Sequence, residues 1–137
     1  MKLTTKSEYT LLLLIGLARK EKTSAGSTPV HLDILCRENN VPLKYAELLF
    51  SALKRNHIVK AKRGSAGGYL LARPANEISI AEIIRLMDGA LAPTESVSQF
   101  FYSDTPLSRE TRLLSVFQDI RDYIANRLES LFLSDFV

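Results

Sequence analysis

The chain has 137 residues, 46% apolar and 24% charged, which suits one compact domain plus an appendage and excludes a globally disordered polymer. Cys36 is the only cysteine, so an internal disulfide framework is excluded and a reducing compartment is implied. No apolar run approaches the roughly 20 residues of a membrane span, and the four residues from Leu11 to Leu14 are too few for a signal-sequence core, so a soluble cytoplasmic protein with no membrane partner is expected.

Charge is distributed unevenly. Residues 1–76 hold 13 Lys/Arg against 5 Asp/Glu, and residues 77–137 hold 5 against 10, so a front half of +8 precedes a rear half of −5. A basic front half fits a polyanionic partner, the plain alternative being two solvated halves of chance composition.

Thr5-Lys6-Ser7-Glu8 reads as a capping box, with Thr5 as cap and Glu8 reaching back. It predicts a first helix over residues 7–20, wide in its apolar arc. Residues 21–28, with Gly26, read as a loop. Pro29 opens a second helix with Leu32, Leu35 and Cys36 at helical spacing. Asn39-Asn40-Val41-Pro42 is a turn in which Asn40 suits the left-handed position. A third helix over residues 43–55 buries Ala46, Leu49, Phe50 and Leu53. Two short helices about a tight turn make a helix-turn-helix or an ordinary helical hairpin.

A basic, glycine-rich segment directly after the third helix favours the helix-turn-helix. Val59-Lys-Ala-Lys-Arg-Gly-Ser-Ala-Gly-Gly-Tyr-Leu-Leu sets a basic tip with three glycines between two apolar arms. Strands over residues 57–62 and 69–72 form a hairpin wing, whose Arg63 can approach phosphates or a minor groove. A flexible basic turn without a ligand is the bland alternative.

Ser79-Ile80-Ala81-Glu82 is a second capping box, opening a helix with Ile80, Ile83, Ile84 and Met87 that Gly89 stops. Residues 91–106 read as an irregular loop ordered by packing, with Phe100 and Phe101 lining a pocket or anchoring a core. Thr105-Pro106 starts the last helix, over residues 107–132. Its apolar stripe includes Leu113, Val116, Phe117, Ile120, Tyr123, Ile124, Leu128 and Leu131. The stripe predicts a homodimer seam carried by Leu113, Phe117, Ile120, Ile124 and Leu128, the alternative being that the helix folds back on its own domain.

No catalytic constellation is visible, and the chain is not expected to be an enzyme. His31 and His57 are the only histidines, too few with one cysteine for a zinc site. Gly64-Ser-Ala-Gly-Gly lacks the Lys-Ser/Thr ending of a phosphate-binding loop. Cys36 reads as a buried thiol. The candidate DNA-binding residues are Lys2, Thr4 and Lys6 beside the first helix, Lys44, Tyr45 and Glu47 at the start of the third, and Arg63, Gly64 and Ser65 in the wing. Glu47 can accept from a cytosine amine or pair with Lys44.

Met1-Lys-Leu-Thr-Thr-Lys, Val41 through Leu53, and the wing from Val59 to Pro74 together resemble the Rrf-two family of bacterial winged-helix transcriptional regulators. The likeness is close over residues 1–90 and of pattern only in the last helix. It implies a mainly α fold with a small β-wing: a winged helix-turn-helix (1–76), a connecting helix and loop (77–106) and a long C-terminal dimerisation helix (107–137), as one compact unit. It implies a homodimer that binds specific double-stranded DNA, usually as a repressor, with Tyr45, Glu47 and Arg63 at the DNA. Lys44 stands where the family often has a small or polar residue, so site preference differs.

Cluster-binding members place three cysteines before the dimer helix. Residues 91–107 here contain none, and no His. Thiolates are the usual ligands of such clusters, so no iron–sulfur cluster or other cofactor is expected. The signal then comes from an unknown protein, a small-molecule effector or a thiol. The runner-up function is a winged-helix protein–protein interaction module that does not read DNA.

Overall fold

The computed structural model describes residues 1–24 and 28–137. Helices α1 (Thr5–Thr23), α2 (Leu32–Asn39) and α3 (Leu43–Arg55) are followed by strands β1 (Val59–Lys62) and β2 (Gly68–Leu71), then by helices α4 (Ile80–Asp88) and α5 (Thr111–Glu129). This is the expected mainly α fold with a two-stranded antiparallel wing. The chain divides into two compact units. One is Glu8–Ile78 with Phe132–Val137, and the other is Ser79–Leu131 with Met1–Ser7.

The first unit is the winged helix. Leu13, Leu14 and Leu17 of α1, Leu35 of α2, and Ala46, Phe50 and Leu53 of α3 are buried. Phe50 meets Tyr69 of the wing edge to face, with ring centroids 4.9 Å apart. The helix boundaries follow from local chemistry. Asn40 ends α2 at φ 56° and ψ 46°, and the Val41 N–H closes the turn on Cys36 O at 2.9 Å. α3 ends in the same motif, with His57 at φ 58° and the Ile58 N–H donating to Leu53 O at 3.0 Å. That left-handed residue is why the first strand begins at Val59 and not at His57.

Other expected boundaries shift. α1 continues to Thr23, so only part of the expected loop remains, and 25–27 lie outside the described residues. Its N-terminal cap is Thr4 and not Thr5, since the Ser7 N–H donates to Thr4 Oγ1 at 3.2 Å. α2 begins after His31 and not at Pro29, because Val30 pairs with the wing. The Val30 N–H donates to Tyr69 O at 2.9 Å, and the Tyr69 N–H returns to Val30 O at 2.8 Å.

β1 and β2 pair from Val59↔Leu71 to Lys62↔Gly68. The outer edge of β2 is closed by Val30 and by Glu21, whose Oε1 accepts from the Leu71 N–H at 2.7 Å. Burial pushes the Glu21 carboxyl above the usual carboxylate range, while the Leu71 bond and the Lys60 charge pull it back. Gly68 makes the Val30 approach possible. Its φ is 145°, and a Cβ there would lie 2.5 Å from Val30 O. Gly68→Ala is therefore expected to cost at least ~1–3 kcal/mol through backbone strain alone. Urea unfolding checks it, and an unchanged midpoint would show that the strand pairing yields freely.

The second unit is built on α4 and α5. Ser79 caps α4, its Oγ accepting from the Glu82 N–H at 3.0 Å, and Gly89 ends it at φ 86°. Ile80, Ala81, Ile83, Ile84 and Met87 are buried. Residues 91–106 are irregular but tied down by their own side chains. Ser103 Oγ donates to Glu95 Oε2 at 2.5 Å and Thr105 Oγ1 to Ser96 Oγ at 2.9 Å. Arg121 of α5 holds the same segment through Val97 O at 2.8 Å.

The last helix is shorter than the expected 107–132. Thr105 and Pro106 open a 3-10 turn, Pro106–Arg109, and Glu110 at φ −104° and ψ 83° breaks the chain before α5. At the far end the Leu131 carbonyl accepts the Ile80 N–H at 2.8 Å. Tertiary pairing there replaces the next helical turn. Among the described residues no helix is long and apolar enough to cross a membrane.

Candidate nucleic-acid interface

The helix-turn-helix and the wing lie in one unit, and so do most of the candidate residues. Lys44, Tyr45 and Glu47 are exposed at the start of α3, opposite its buried face of Ala46, Leu49, Phe50 and Leu53. Among the described residues, neither Lys44 nor Glu47 forms an ion pair, so the suggested Lys44–Glu47 pairing is absent. Tyr45 rests edge to face on Tyr9 of α1, with centroids 5.6 Å apart, which fixes its ring on the outer surface. Pro42 precedes the helix in extended conformation, so the first N–H groups of α3 lack a side-chain cap. Such a terminus favours an anion, phosphate included.

The wing tip is a turn closed by the Gly67 N–H on Gly64 O at 2.9 Å. Lys62, Arg63, Gly64 and Ser65 are all exposed on it. Gly64 takes φ 101° with open space where a Cβ would stand. Gly67 is needed for closure, because its Cβ would lie 2.4 Å from Lys62 O. Arg63 thus projects from a constrained turn. Arg55 at the end of α3 is held by Ser51 Oγ at 3.1 Å.

Lys2, Thr4 and Lys6 belong to the other unit. Thr4 is already engaged there: its Oγ1 donates to Asp88 Oδ1 at 2.5 Å and its N–H to Asp88 Oδ2 at 3.2 Å. Partial burial would raise the Asp88 carboxyl, but the Thr4 bonds, the nearby Ser7 hydroxyl and the Lys6 charge outweigh it and hold it below the usual range. The Ser7 hydroxyl is buried without a hydrogen-bond partner, and the Thr4 side-chain bond leads the lowering. A lowered carboxyl stabilises the fold above its unfolded value, and that contribution is lost as pH falls through the folded value. Asp88→Ala should therefore cost about 1 kcal/mol at neutral pH, with the difference shrinking in acid. Urea midpoints measured across that range check it, and a pH-independent difference would contradict it.

Sequence reasoning missed one exposed residue. Leu48 stands on the outer face of α3, 71% exposed. Its spacing from the four buried residues of the helix was the available signal, hidden by the run Leu48-Leu49-Phe50 that reads as core.

Cys36 is buried, as expected, at the floor of an open groove of about 570 Å³ lined also by Asp33, Arg37 and Asn40 through Leu43. Burial, then the charges of Asp33 and Glu47, push its thiol upward, away from thiolate character. The crevice beside Phe100 and Phe101 is far smaller, about 10 Å³, and is lined also by Arg85 and Arg121. It has room for about one water. Arg85 is held by Glu129 at 2.6 Å and lies 4.9 Å from the centre of the Phe100 ring.

The Rrf2 model, described as "Iron-dependent Transcriptional regulator", matches residues 3–137. The chain belongs to the Rrf2 family. The HTH-type transcriptional regulator CymR of Bacillus subtilis is 33% identical over 135 residues, 98% of this chain and 88% of that one. IscR of Cereibacter sphaeroides is 40% identical over 88 residues, 64% of this chain and 56% of that one. The solved structure of CymR, titled the global cysteine regulator of B. subtilis, superposes with a TM-score of 0.76 at 32% identity, covering 98% of this chain and 95% of the other. That of T. potens IscR gives 0.73 at 27% identity, covering 98% and 85%. This Rrf2 member is a DNA-binding transcriptional regulator and not an enzyme.

Iron dependence in the family description raises the question of ligands. The chain offers one cysteine and two histidines in all. Among the described residues no three His, Cys, Asp or Glu side chains gather as a metal site. Cys36 is buried in the winged helix with a raised thiol, whereas cluster ligands are thiolates. The donor set of this chain does not fit an iron–sulfur cluster.

Proposed function

We propose that this Rrf2 regulator is a cytoplasmic homodimeric repressor that reads a two-fold DNA site without an iron–sulfur cluster. The observation that carries the reading is the exposure of Lys44, Tyr45, Glu47, Arg63, Gly64 and Ser65 on α3 and the wing of a single unit. α3 enters the major groove with its N-terminal side chains at base edges, and the wing sets Arg63 against the backbone or minor groove. Lys2 and Lys6 add phosphate contacts, and Thr4 helps by capping the helix that carries Lys6. Repression is the mode that the family resemblance implies. The signal is carried by a protein or small-molecule effector.

The second copy joins through α5. Leu113, Val116, Ile120 and Tyr123 are exposed and recur at three, four and three residues, as at a two-stranded seam. Phe117, Ile124 and Leu128, expected in the same seam, are half-buried on the neighbouring flank, nearer the buried Ala125. The seam is therefore turned toward Val116 and Tyr123.

Anaerobic purification followed by iron analysis and a DNA titration tests this reading. One dimer bound per site without stoichiometric iron is expected. A stoichiometric cluster would overturn the cluster-free part, and binding of one chain per site would overturn the dimer.

A further inference from the structure

Leu48 occupies the centre of the outward face of α3. Lys44 is four residues before it, Ser51 three after and Arg55 seven after, so at ~100° per residue all three share its side of the helix. The buried residues Ala46, Leu49, Phe50 and Leu53 lie on the opposite side. An aliphatic side chain left 71% exposed at the middle of an otherwise polar, basic strip adds nothing to the core beneath it. The strip favours a polyanion by charge, and the apolar side chain on its midline favours an apolar group within that polyanion.

We propose that Leu48 is a specificity-determining residue that reads the C5-methyl group of a thymine in each half-site. The inference rests on α3 being the DNA-reading helix. In the major groove the thymine methyl is the apolar mark on a base edge, and a side chain without donors or acceptors can distinguish it from the cytosine edge. Lys44 and Tyr45, one turn toward the N-terminus, and Ser51 and Arg55, one and two turns beyond, flank Leu48 with groups suited to polar base edges and phosphates. Leu48 thus supplies the apolar contact between two polar ones, and its thymine lies between the base pairs that they approach.

The test uses random-sequence duplexes bound by the full-length protein to define its motif. Each thymine of that motif is then replaced in turn by deoxyuridine, which lacks only the methyl, and affinities are measured for the wild type and Leu48→Ala. Losing one buried methyl corresponds to about fourfold in affinity. We expect one thymine per half-site whose replacement weakens the wild type about fourfold and leaves the Leu48→Ala protein unaffected. Selection with Leu48→Ala should relax the motif at that position alone. The truncation spares the core, and a matching unfolding midpoint confirms an intact fold. A motif whose thymines all tolerate deoxyuridine overturns the inference and leaves the DNA-reading role standing. So does a Leu48→Ala protein that loses affinity equally for every duplex or changes its mass in solution. Failure of the wild type to select any motif overturns the DNA-reading role of α3 and this inference with it.

Discussion

Ile120→Glu is expected to convert the dimer to monomers at micromolar concentration and to abolish operator binding at the concentrations that saturate the wild type. Ile120 lies between Val116 and Tyr123 on the exposed stripe of α5. In an isologous seam the substitution enters twice, so two carboxylates are desolvated near the same axis. Truncating a central interface residue costs about 2 kcal/mol or more, and a buried like charge adds to that. DNA affinity then falls further, because linking two half-site readers raises avidity by roughly 10²–10⁴. Because Ile120 is exposed, the monomer should keep its helical content and its unfolding transition apart from the concentration dependence. Sedimentation and DNA titration of the same preparation check both effects. A dimer that persists with Glu at this position would move the interface off α5.

The second large effect is expected at the wing. Arg63→Ala should weaken operator binding by about 1–3 kcal/mol and lower the slope of log affinity against log salt by about one. Arg63 is exposed beside a turn that Gly64 and Gly67 hold in place, so its removal leaves the wing fold intact. The two readouts separate the possible contacts. A phosphate contact reduces affinity for all duplexes alike together with the salt slope, whereas a minor-groove base contact also relaxes the selected motif. Unchanged affinity and slope in the folded variant would remove the wing from the interface.

The local signals in the sequence located the winged-helix part of the fold well. α3 runs from Leu43 to Arg55, the bounds that its apolar spacing and flanking Pro42 and Asn56 dictate. Asn40 takes the left-handed position that its side chain tolerates. Gly64, Gly67 and Gly68 each answer a need, though only coordinates separate a free φ from a backbone collision. The misplaced features depend on partners far along the chain. Thr5, three residues before Glu8, reads as the cap until Asp88, 84 residues from Thr4, engages Thr4. α2 starts late because Val30 finds Tyr69, a pairing that no local pattern reveals. α5 ends early because the Leu131 carbonyl is taken by Ile80.

The same limit governed the candidate site. Helical periodicity gave an apolar stripe on α5 but could not divide it into the exposed Leu113–Tyr123 line and the half-buried flank of Phe117, Ile124 and Leu128. That division depends on where the neighbouring elements lie. Leu48 was legible in principle from its place opposite four core residues, yet residue type alone assigns a leucine to the interior.

The central claim, a dimeric reader of a two-fold DNA site, is tested most directly by selecting genomic fragments with the purified protein at near-physiological salt. A shared palindromic motif, bound by one dimer with its half-sites one helical turn or a multiple apart, is the predicted result. No enrichment from a folded dimer, or enrichment of an unpaired half-site, would contradict it.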